Sequence, residues 1–228
     1  MRIAIIGGHG KIALLLGPLL SGHEVTGVIR NPDQASDLEA AGLRPAVADV
    51  ETMSTQQLTE LLQGQDLVVW SAGAGGGDPE RTYAVDRDAA TRTMDAAEQA
   101  GVGRYLMVSY LGARRDHGVP EDNAFFAYAE AKSAADQHLR DSGLGWTIVA
   151  PGQLSLDEPT GSIEVRGSGP GSDPAASEGE ELAPIARADV AAVIAAVVGR
   201  EDLTGRMIEF VGGDTPIDQA LDEVAAGA

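Results

Sequence analysis

The chain begins with an apolar strand that leads directly into a glycine-rich turn, and this pair most constrains its fold. The segment reads Met1-Arg-Ile-Ala-Ile-Ile-Gly-Gly-His-Gly-Lys-Ile-Ala13, and five of its first six residues are apolar. Such a run is typical of a strand that is buried on both faces. Gly7, Gly10 and the small Ala13 then lead into an apolar helix. Strand, glycine turn and helix in this order predict a dinucleotide-binding unit.

The turn has the chemistry that a pyrophosphate needs. Glycine allows a sharp turn and a close approach of the backbone to a ligand. The free N–H groups and the dipole of the helix start attract the anion. The alternative is an empty strand-to-helix turn, but the flanking strand and helix favour the nucleotide site.

Strands and helices alternate along the rest of the chain. Further strands are predicted at 24–30, 43–48, 66–70, 104–109 and 145–150, with helices at 33–41, 54–63, 79–100 and 124–142. An apolar helix ending at Val198, a strand at 206–211 and a last amphipathic helix from Thr215 follow. The pattern predicts a Rossmann-type α/β fold with a doubly wound parallel sheet. The length suits one domain over 1–228, whose part beyond about residue 152 completes the substrate side.

Charge and composition exclude several classes of partner. The formal charge of −19 argues against a nucleic-acid partner and against an anionic membrane surface. The chain has no cysteine, and no group of His, Asp and Glu has metal-ligand spacing, so neither a disulfide nor a metal site is predicted. Without an apolar run of membrane length or a signal-peptide layout, we expect a cytoplasmic protein. Nothing in the sequence indicates an oligomeric state.

Two charged residues at predicted strand ends bear on the cofactor. Arg30 closes the second strand, where this class of fold places an acidic residue on a ribose 2′-hydroxyl or an arginine on a 2′-phosphate. A guanidinium suits bidentate phosphate contact, so Arg30 predicts NADP over NAD. The alternative for Arg30 is a solvated strand-end side chain. Asp49 either accepts a hydrogen bond from an adenine amine or caps the following turn.

Several other segments carry candidate site residues. The loop Ser71-Ala-Gly-Ala-Gly-Gly-Gly77 suits close approach to a cofactor, or is simply flexible. Tyr128 and Lys132 are four residues apart and so share one face of a helix, with a plain helical pair as the alternative. His117, like His23 and His138, is expected to be solvated. The acidic segment 168–181 is rich in Gly, Pro and Ser and is predicted to be a solvated loop.

The order of these motifs resembles the atypical branch of the short-chain dehydrogenase/reductase superfamily, which is related to NmrA-like and biliverdin reductase B-like proteins. The resemblance rests on the glycine turn, Arg30-Asn-Pro, Asp49, Val108-Ser109, Tyr128-x-x-x-Lys132, the segment 142–152 that ends in Pro151-Gly152, Ala188-Asp-Val190, and Gly213-Asp-Thr-Pro-Ile217. The sequence departs from the pattern at Asp86, where an Asn is expected, and at Ala150, where an Arg is common. The final glycine of the turn is replaced by Ala13.

The resemblance implies a Tyr/Lys/Ser site for hydride transfer. Tyr128 is the expected general acid/base, because the Lys132 ammonium and a positive nicotinamide would favour its phenolate. Lys132 would also hold the nicotinamide ribose, and Ser109 would hydrogen-bond the substrate oxygen. The expected cofactor contacts are Gly7, Gly8, His9, Gly10, Lys11, Ile12, Arg30, Asp49, Val50, Ser71, Ala72, Gly73, Lys132, Pro151 and Gly152.

The resemblance further implies an NADP-dependent oxidoreductase that acts on a small carbonyl, quinone or flavin-like acceptor. Two alternatives stay open. One is a non-catalytic, NmrA-like sensor of NADP(H), in which the 168–181 loop is a contact or a lid. The other is a sugar-nucleotide epimerase or dehydratase, which is disfavoured because little chain remains after the sixth strand to build a nucleotide-sugar domain.

Overall fold

Nine strands form the main sheet of the protein in this computed structural model, which describes residues 1–168 and 181–227. The predicted 168–181 loop therefore lies almost entirely outside the described residues. The described residues form eleven strands in all, because β7 and β9 pair in a separate two-stranded sheet. The strands are β1 (Arg2–Ile6), β2 (Glu24–Ile29), β3 (Arg44–Val47), β4 (Leu67–Trp70), β5 (Arg104–Val108), β6 (Gly145–Pro151), β7 (Leu154–Ser155), β8 (Ser162–Gly167), β9 (Ile185–Ala186), β10 (Arg206–Gly212) and β11 (Thr215–Pro216).

The sheet is doubly wound about β1. Its order is β11-β8-β10-β6-β5-β4-β1-β2-β3, and the seven strands from β10 to β3 are parallel. The predicted Rossmann-type architecture is confirmed. Two edge strands, β8 and β11, add to it in antiparallel fashion. They were not predicted, although the alternation of Ile163 and Val165 with polar residues is a strand signal.

Helices pack against the sheet. They are α1 (Lys11–Leu19), α2 (Ala35–Ala40), α3 (Thr55–Leu62), α4 (Pro79–Thr82), α5 (Ala90–Gln99), α6 (Phe126–Asp141), α7 (Arg187–Val198) and α8 (Ile217–Ala226). The helix predicted at 79–100 is not one continuous α-helix, because a π-helix over Tyr83–Ala89 joins α4 to α5. Such segments are frequent at functional sites. No helix within 1–168 or 181–227 is long and apolar enough to cross a membrane.

Strand β1 is buried on both faces, as its apolar run predicts. Ile3 and Ile5 belong to a core cluster shared with α1, α7 and α8, whereas Ala4 and Ile6 belong to a second cluster shared with α3, α5 and α6. The alternation of side chains along a strand explains this division. Packing on both sides fixes the carboxyl end of β1, and with it the glycine turn that follows.

Candidate active site

A cleft runs across the carboxyl ends of the parallel strands, at the point where the strand order reverses between β1 and β4. One part encloses about 330 Å³ beside the ends of β1, β2 and β3, and we call it the Arg30 side. The other encloses about 480 Å³ between the ends of β4 to β6 and α6, and we call it the Tyr128 side. The two parts share Ser71, Ala72 and Gly73. Open α/β sheets bind ligands in a crevice at this place.

The two main glycines of the turn have different roles. Gly7 has a φ of +85°, and a Cβ atom there would lie 2.7 Å from the Cα atom of Ala72, so both its conformation and the approach of the β4 loop require glycine. Gly10 has an ordinary φ of −62° at the N-cap of α1, and its nearest obstacle is the carbonyl oxygen of Gly7 at 3.1 Å. No side chain caps α1. Its first-turn N–H groups are therefore available to an anion in the cleft.

Arg30 lines the cleft but already has an ionic partner. Its Nη1 atom lies 3.3 Å from Oε2 of Glu51, and its side chain is 58% exposed. The Nε atom of Arg81 lies 3.7 Å from the same oxygen, while Nη1 of Arg81 donates to the carbonyl oxygen of Ala74. All three side chains line the Arg30 side. A carboxylate between two guanidiniums thus stands in the part of the cleft where the sequence predicts a 2′-phosphate.

The other predicted residues of the Arg30 side differ in how they face it. Asp49 and Val50 line the cleft, and Oδ1 of Asp49 accepts a hydrogen bond from the Glu51 N–H at 3.2 Å. The turn-capping alternative for Asp49 is therefore present, and its contact with adenine stays a prediction. His9 lines the edge of the cleft with its Nε2 atom 2.8 Å from Oδ2 of Asp37.

Three predicted residues do not line either part of the cleft in the described chain. Gly8 packs against β2, where a Cβ atom would lie 2.7 Å from the Cα atom of Gly27. Lys11 is exposed at the start of α1. Gly152 donates its N–H to the carbonyl oxygen of Phe210, and a Cβ atom there would lie 2.8 Å from a side-chain carbon of Val211. Gly8 and Gly152 thus have clear packing reasons to be glycine.

The predicted Tyr/Lys/Ser residues lie together on the Tyr128 side. Tyr128 and Lys132 share one face of α6, Ser109 directly follows β5, and Ile12 and Pro151 complete the same wall. The ammonium of Lys132 is fully buried and donates to the carbonyl oxygen of Val108 at 2.7 Å. This contact fixes Lys132 at the carboxyl end of β5, and Ser109 is the next residue along the chain.

Two buried carboxyl groups stand beside Lys132, and the sequence analysis assigned neither of them a role. Asp86, on the π-helix, lines the cleft and accepts the N–H of Ala74 at 2.9 Å. Asp136, one turn beyond Lys132 on α6, lies with Oδ2 2.5 Å from Oγ of Ser109. Burial raises the pKa of both carboxyl groups, and the Lys132 ammonium opposes that rise. Burial lowers the pKa of Lys132 itself.

Tyr128 differs from the expectation in its ionisation. Lys132 is expected to favour the phenolate, but the pKa of Tyr128 is raised, first by burial and then by the negative charge of Asp86. For the free protein the expectation is wrong, because burial and the neighbouring carboxylate outweigh the ammonium. Tyr128 is therefore a neutral phenol that has a proton to give. The effect of a bound nicotinamide on this pKa stays a prediction.

An aromatic cluster forms one edge of the Tyr128 side. The ring of Tyr128 lies 5.3 Å from that of Phe125 and 5.5 Å from that of Tyr110, measured between centroids. Phe125 lines the cleft and is 42% exposed. Aromatic side chains offer apolar faces to planar ligands. The sequence analysis did not single out Phe125, which precedes the helix.

His117 is not solvated, which corrects the sequence-based expectation. Its side chain is only 5% exposed, and its Nε2 atom lies 2.8 Å from Oε1 of Glu130 on α6. The centroid of its ring lies 5.6 Å from that of the Phe126 ring, and the two rings are steeply inclined at 73°. His138, by contrast, is 41% exposed beside Asp95. Within the described residues no group of three or more His, Asp and Glu could hold a metal ion.

Comparisons with known proteins support a nucleotide-binding fold. The model of a family described as NAD(P)H-binding matches residues 7–201. The uncharacterized sugar epimerase YhfK of Bacillus subtilis is 32% identical, over 98% of this chain and 100% of its own. A Bacillus halodurans structure assigned provisionally to NAD-dependent epimerases/dehydratases is 33% identical with a TM-score of 0.84, over 98% of this chain and 99% of its own. The oxidoreductase ylbE of Lactococcus lactis is 26% identical with a TM-score of 0.82, over 98% and 96%.

Proposed function

The chain belongs to the NAD(P)H-binding family, and we propose that it is an NADP-dependent oxidoreductase of the atypical short-chain dehydrogenase/reductase type. It transfers a hydride between the nicotinamide and a small carbonyl, quinone or flavin-like acceptor. The observation that carries the proposal is that a single cleft joins the uncapped start of α1 to Tyr128, Lys132 and Ser109 through the shared segment Ser71–Gly73.

The Arg30 side suits the adenosine half of the cofactor. The pyrophosphate would dock at the N-terminus of α1, beside Gly7 and Gly10, where backbone N–H groups and the helix dipole favour an anion. Arg30 would reach the 2′-phosphate and Asp49 the adenine amine. Arg81 adds a second guanidinium to this part of the cleft, and this supports NADP over NAD.

The Tyr128 side suits the nicotinamide and the acceptor. The cofactor supplies the hydride when it is bound. Lys132, held by the Val108 carbonyl, would bind the nicotinamide ribose. Tyr128 would donate its proton to the reduced oxygen, and its raised pKa keeps the phenol protonated until the transfer. Ser109 would hydrogen-bond the same oxygen, and the exposed face of Phe125 would contact a planar acceptor.

NADPH oxidation in the presence of quinones, flavins and aldehydes tests the proposal. Tyr128→Phe should lower kcat by roughly 100-fold or more, while the Kd for NADPH changes little. Lys132→Met, which is similar in volume, should lose both turnover and cofactor affinity. Tyr110→Phe is the matched control, because the Tyr110 hydroxyl has no hydrogen-bond partner among the residues that the structure describes and its ring lies beside Tyr128. Tight NADPH binding without turnover would instead support the sensor function.

A second candidate is an epimerase or dehydratase of sugar nucleotides. It is favoured by the similarity to a protein named as a sugar epimerase and to a structure assigned to NAD-dependent epimerases/dehydratases. The described part of the chain after β6 argues against it. Strands β8, β10 and β11 extend the main sheet, so this region builds the sheet edge and leaves little chain for a separate sugar domain. Incubation with NAD and UDP-hexoses decides between the two: interconversion of the sugars without net change in cofactor would support the epimerase.

A further inference from the structure

Asp136 is a buried carboxyl group that the proposed reaction does not use. It is completely inaccessible on α6. Its Oδ2 atom lies 2.5 Å from Oγ of Ser109, and its Oδ1 atom has no hydrogen-bond partner among residues 1–168 and 181–227. A buried carboxylate is very unfavourable unless several donors satisfy it. A group with one hydroxyl contact therefore needs an explanation.

The hydroxyl of Ser109 has only one proton, and this limits what it can do. A carboxylate can only accept hydrogen bonds. If Asp136 is ionised, the Ser109 proton must point to Asp136, and Ser109 has none left for a substrate oxygen. If Asp136 is protonated, its own O–H donates to a lone pair of Ser109, and the Ser109 proton is free to turn toward the cleft. The same 2.5 Å separation fits both arrangements.

The surroundings of Asp136 favour the protonated form, because burial raises its pKa by more than the nearby ammonium lowers it. The ammonium of Lys132 faces two carboxyl groups, Asp86 and Asp136, so full ionisation leaves one excess buried negative charge. Asp86 is better stabilised than Asp136 in the ionised form, because it accepts a hydrogen bond from the Ala74 N–H and is attracted to Arg81. In the described part of the chain, no N–H group donates a hydrogen bond to Asp136, whose partner is the Ser109 hydroxyl.

The other groups that face Asp136 change this balance little. Arg140 lies on α6 and attracts it, together with Lys132, but burial is the larger influence and raises the pKa of Asp136. Tyr110 and Tyr128 are the remaining titratable neighbours. Both have raised pKa values and are neutral phenols, so neither adds a charge next to Asp136.

We propose that Asp136 is a positioning residue that holds a proton and donates it in a hydrogen bond to Ser109, so that the Ser109 hydroxyl becomes a donor to the substrate oxygen. Its role in turnover rests on the proposed function, whereas its protonation is a property of the free protein. Asp136 keeps its proton throughout. The hydride comes from the cofactor, and the proton that ends on the substrate oxygen comes from Tyr128.

Carbon NMR of the free protein, labelled at the aspartate carboxyl carbons, tests the protonation without cofactor or substrate. The signal that disappears in Asp136→Asn belongs to Asp136, and the signal that disappears in Asp86→Asn belongs to Asp86. Near neutral pH the Asp136 signal should have the chemical shift of a carboxylic acid and the Asp86 signal that of a carboxylate. An Asp136 signal at the carboxylate position would overturn the inference, whether or not the protein turns over any acceptor.

The pH profile of kcat tests the positioning role. Asp136→Asn keeps an N–H donor for Ser109 and carries no charge, so its kcat near neutral pH should stay within about threefold of the wild type, whereas Ser109→Ala should lose roughly 100-fold. The wild-type kcat should fall as the pH rises through the pKa of Asp136, and this fall should be absent in Asp136→Asn. The surface variant Asp95→Asn should keep the wild-type profile. An Asp136→Asn enzyme as impaired as Ser109→Ala, or one with an unchanged profile, would contradict the role.

Discussion

The pairing of Arg30 with Glu51 predicts how the protein distinguishes NADPH from NADH. The two charges are 3.3 Å apart, and Arg30 is more than half exposed, so the dielectric of water is the appropriate one. At that separation two unit charges attract by about 1.3 kcal/mol. A 2′-phosphate carries nearly two charges and would gain about 2 kcal/mol from Arg30. Releasing Glu51 costs up to about 1 kcal/mol.

The net preference for the phosphate is therefore about 1 to 1.5 kcal/mol, or roughly tenfold in affinity. Isothermal titration should show that Arg30→Ala weakens NADPH binding by about tenfold and leaves NADH binding unchanged within about threefold. Glu51→Gln should strengthen NADPH binding by roughly threefold to fivefold, because it removes the competitor for Arg30. Both effects should shrink at high salt.

Two results would refute this reasoning. If Arg30→Ala weakens the binding of both cofactors equally, Arg30 contacts a part of the molecule that they share and does not recognise the 2′-phosphate. If Glu51→Gln weakens NADPH binding, Glu51 orders Arg30 for the phosphate and does not compete with it. Arg44→Ala is the matched control, since this exposed arginine on β3 does not line the cleft, and its Kd values should equal those of the wild type.

Two further predictions concern stability. Gly7→Ala should lower the free energy of unfolding by about 2 to 4 kcal/mol, from left-handed strain plus overlap with the Ala72 backbone; urea unfolding measures this, and a loss below about 1 kcal/mol would contradict it. Asp136→Asn should be more stable than the wild type near neutral pH, because burial raises the folded pKa of Asp136 above its unfolded value. Protonation of Asp136 stabilises the folded wild type fully at pH values below the unfolded pKa of about 3.9. As the pH rises from there to the folded pKa, this stabilisation falls by about 1.4 kcal/mol per pH unit. Urea titrations at about pH 5 and about pH 7 should therefore show the difference growing with pH, and a constant difference would argue against a buried neutral acid.

The sequence predicts the architecture well because its main signals are local. The apolar run before Gly7 and the regular alternation of strands and helices determine which strands are central and where the cleft opens. The four-residue spacing of Tyr128 and Lys132 predicts their common face of α6, and they do line one wall. The π-helix was missed because hydrophobic periodicity over 79–100 does not distinguish it from a continuous α-helix.

The electrostatics of the site could not be predicted, because they depend on contacts between distant segments. Asp136 follows Lys132 by four residues, so its helix face could be read from the sequence, but its contact with Ser109 arises only when α6 packs beside β5. Arg81 and Glu51 are likewise distant in the sequence and come together only in the folded chain. His117 was expected to be solvated because its loop is polar, whereas its burial is set by α6.

The docking of the dinucleotide at the start of α1 is the central claim, and Gly10→Ala tests it most directly. The φ of Gly10 suits alanine, but the new Cβ would lie 3.1 Å from the carbonyl oxygen of Gly7, which must shift slightly to make room. The free energy of unfolding should therefore fall by about 1 kcal/mol at most, and urea unfolding checks this. The methyl group would nevertheless enter the Arg30 side of the cleft, where the pyrophosphate is proposed to dock. Isothermal titration should show that Gly10→Ala weakens the binding of NADPH and of NADH alike, by about tenfold or more. Gly22→Ala should keep the wild-type Kd values, because no described atom lies within 4 Å of a Cβ at that position. Wild-type affinity for both cofactors in a folded Gly10→Ala protein would contradict the account.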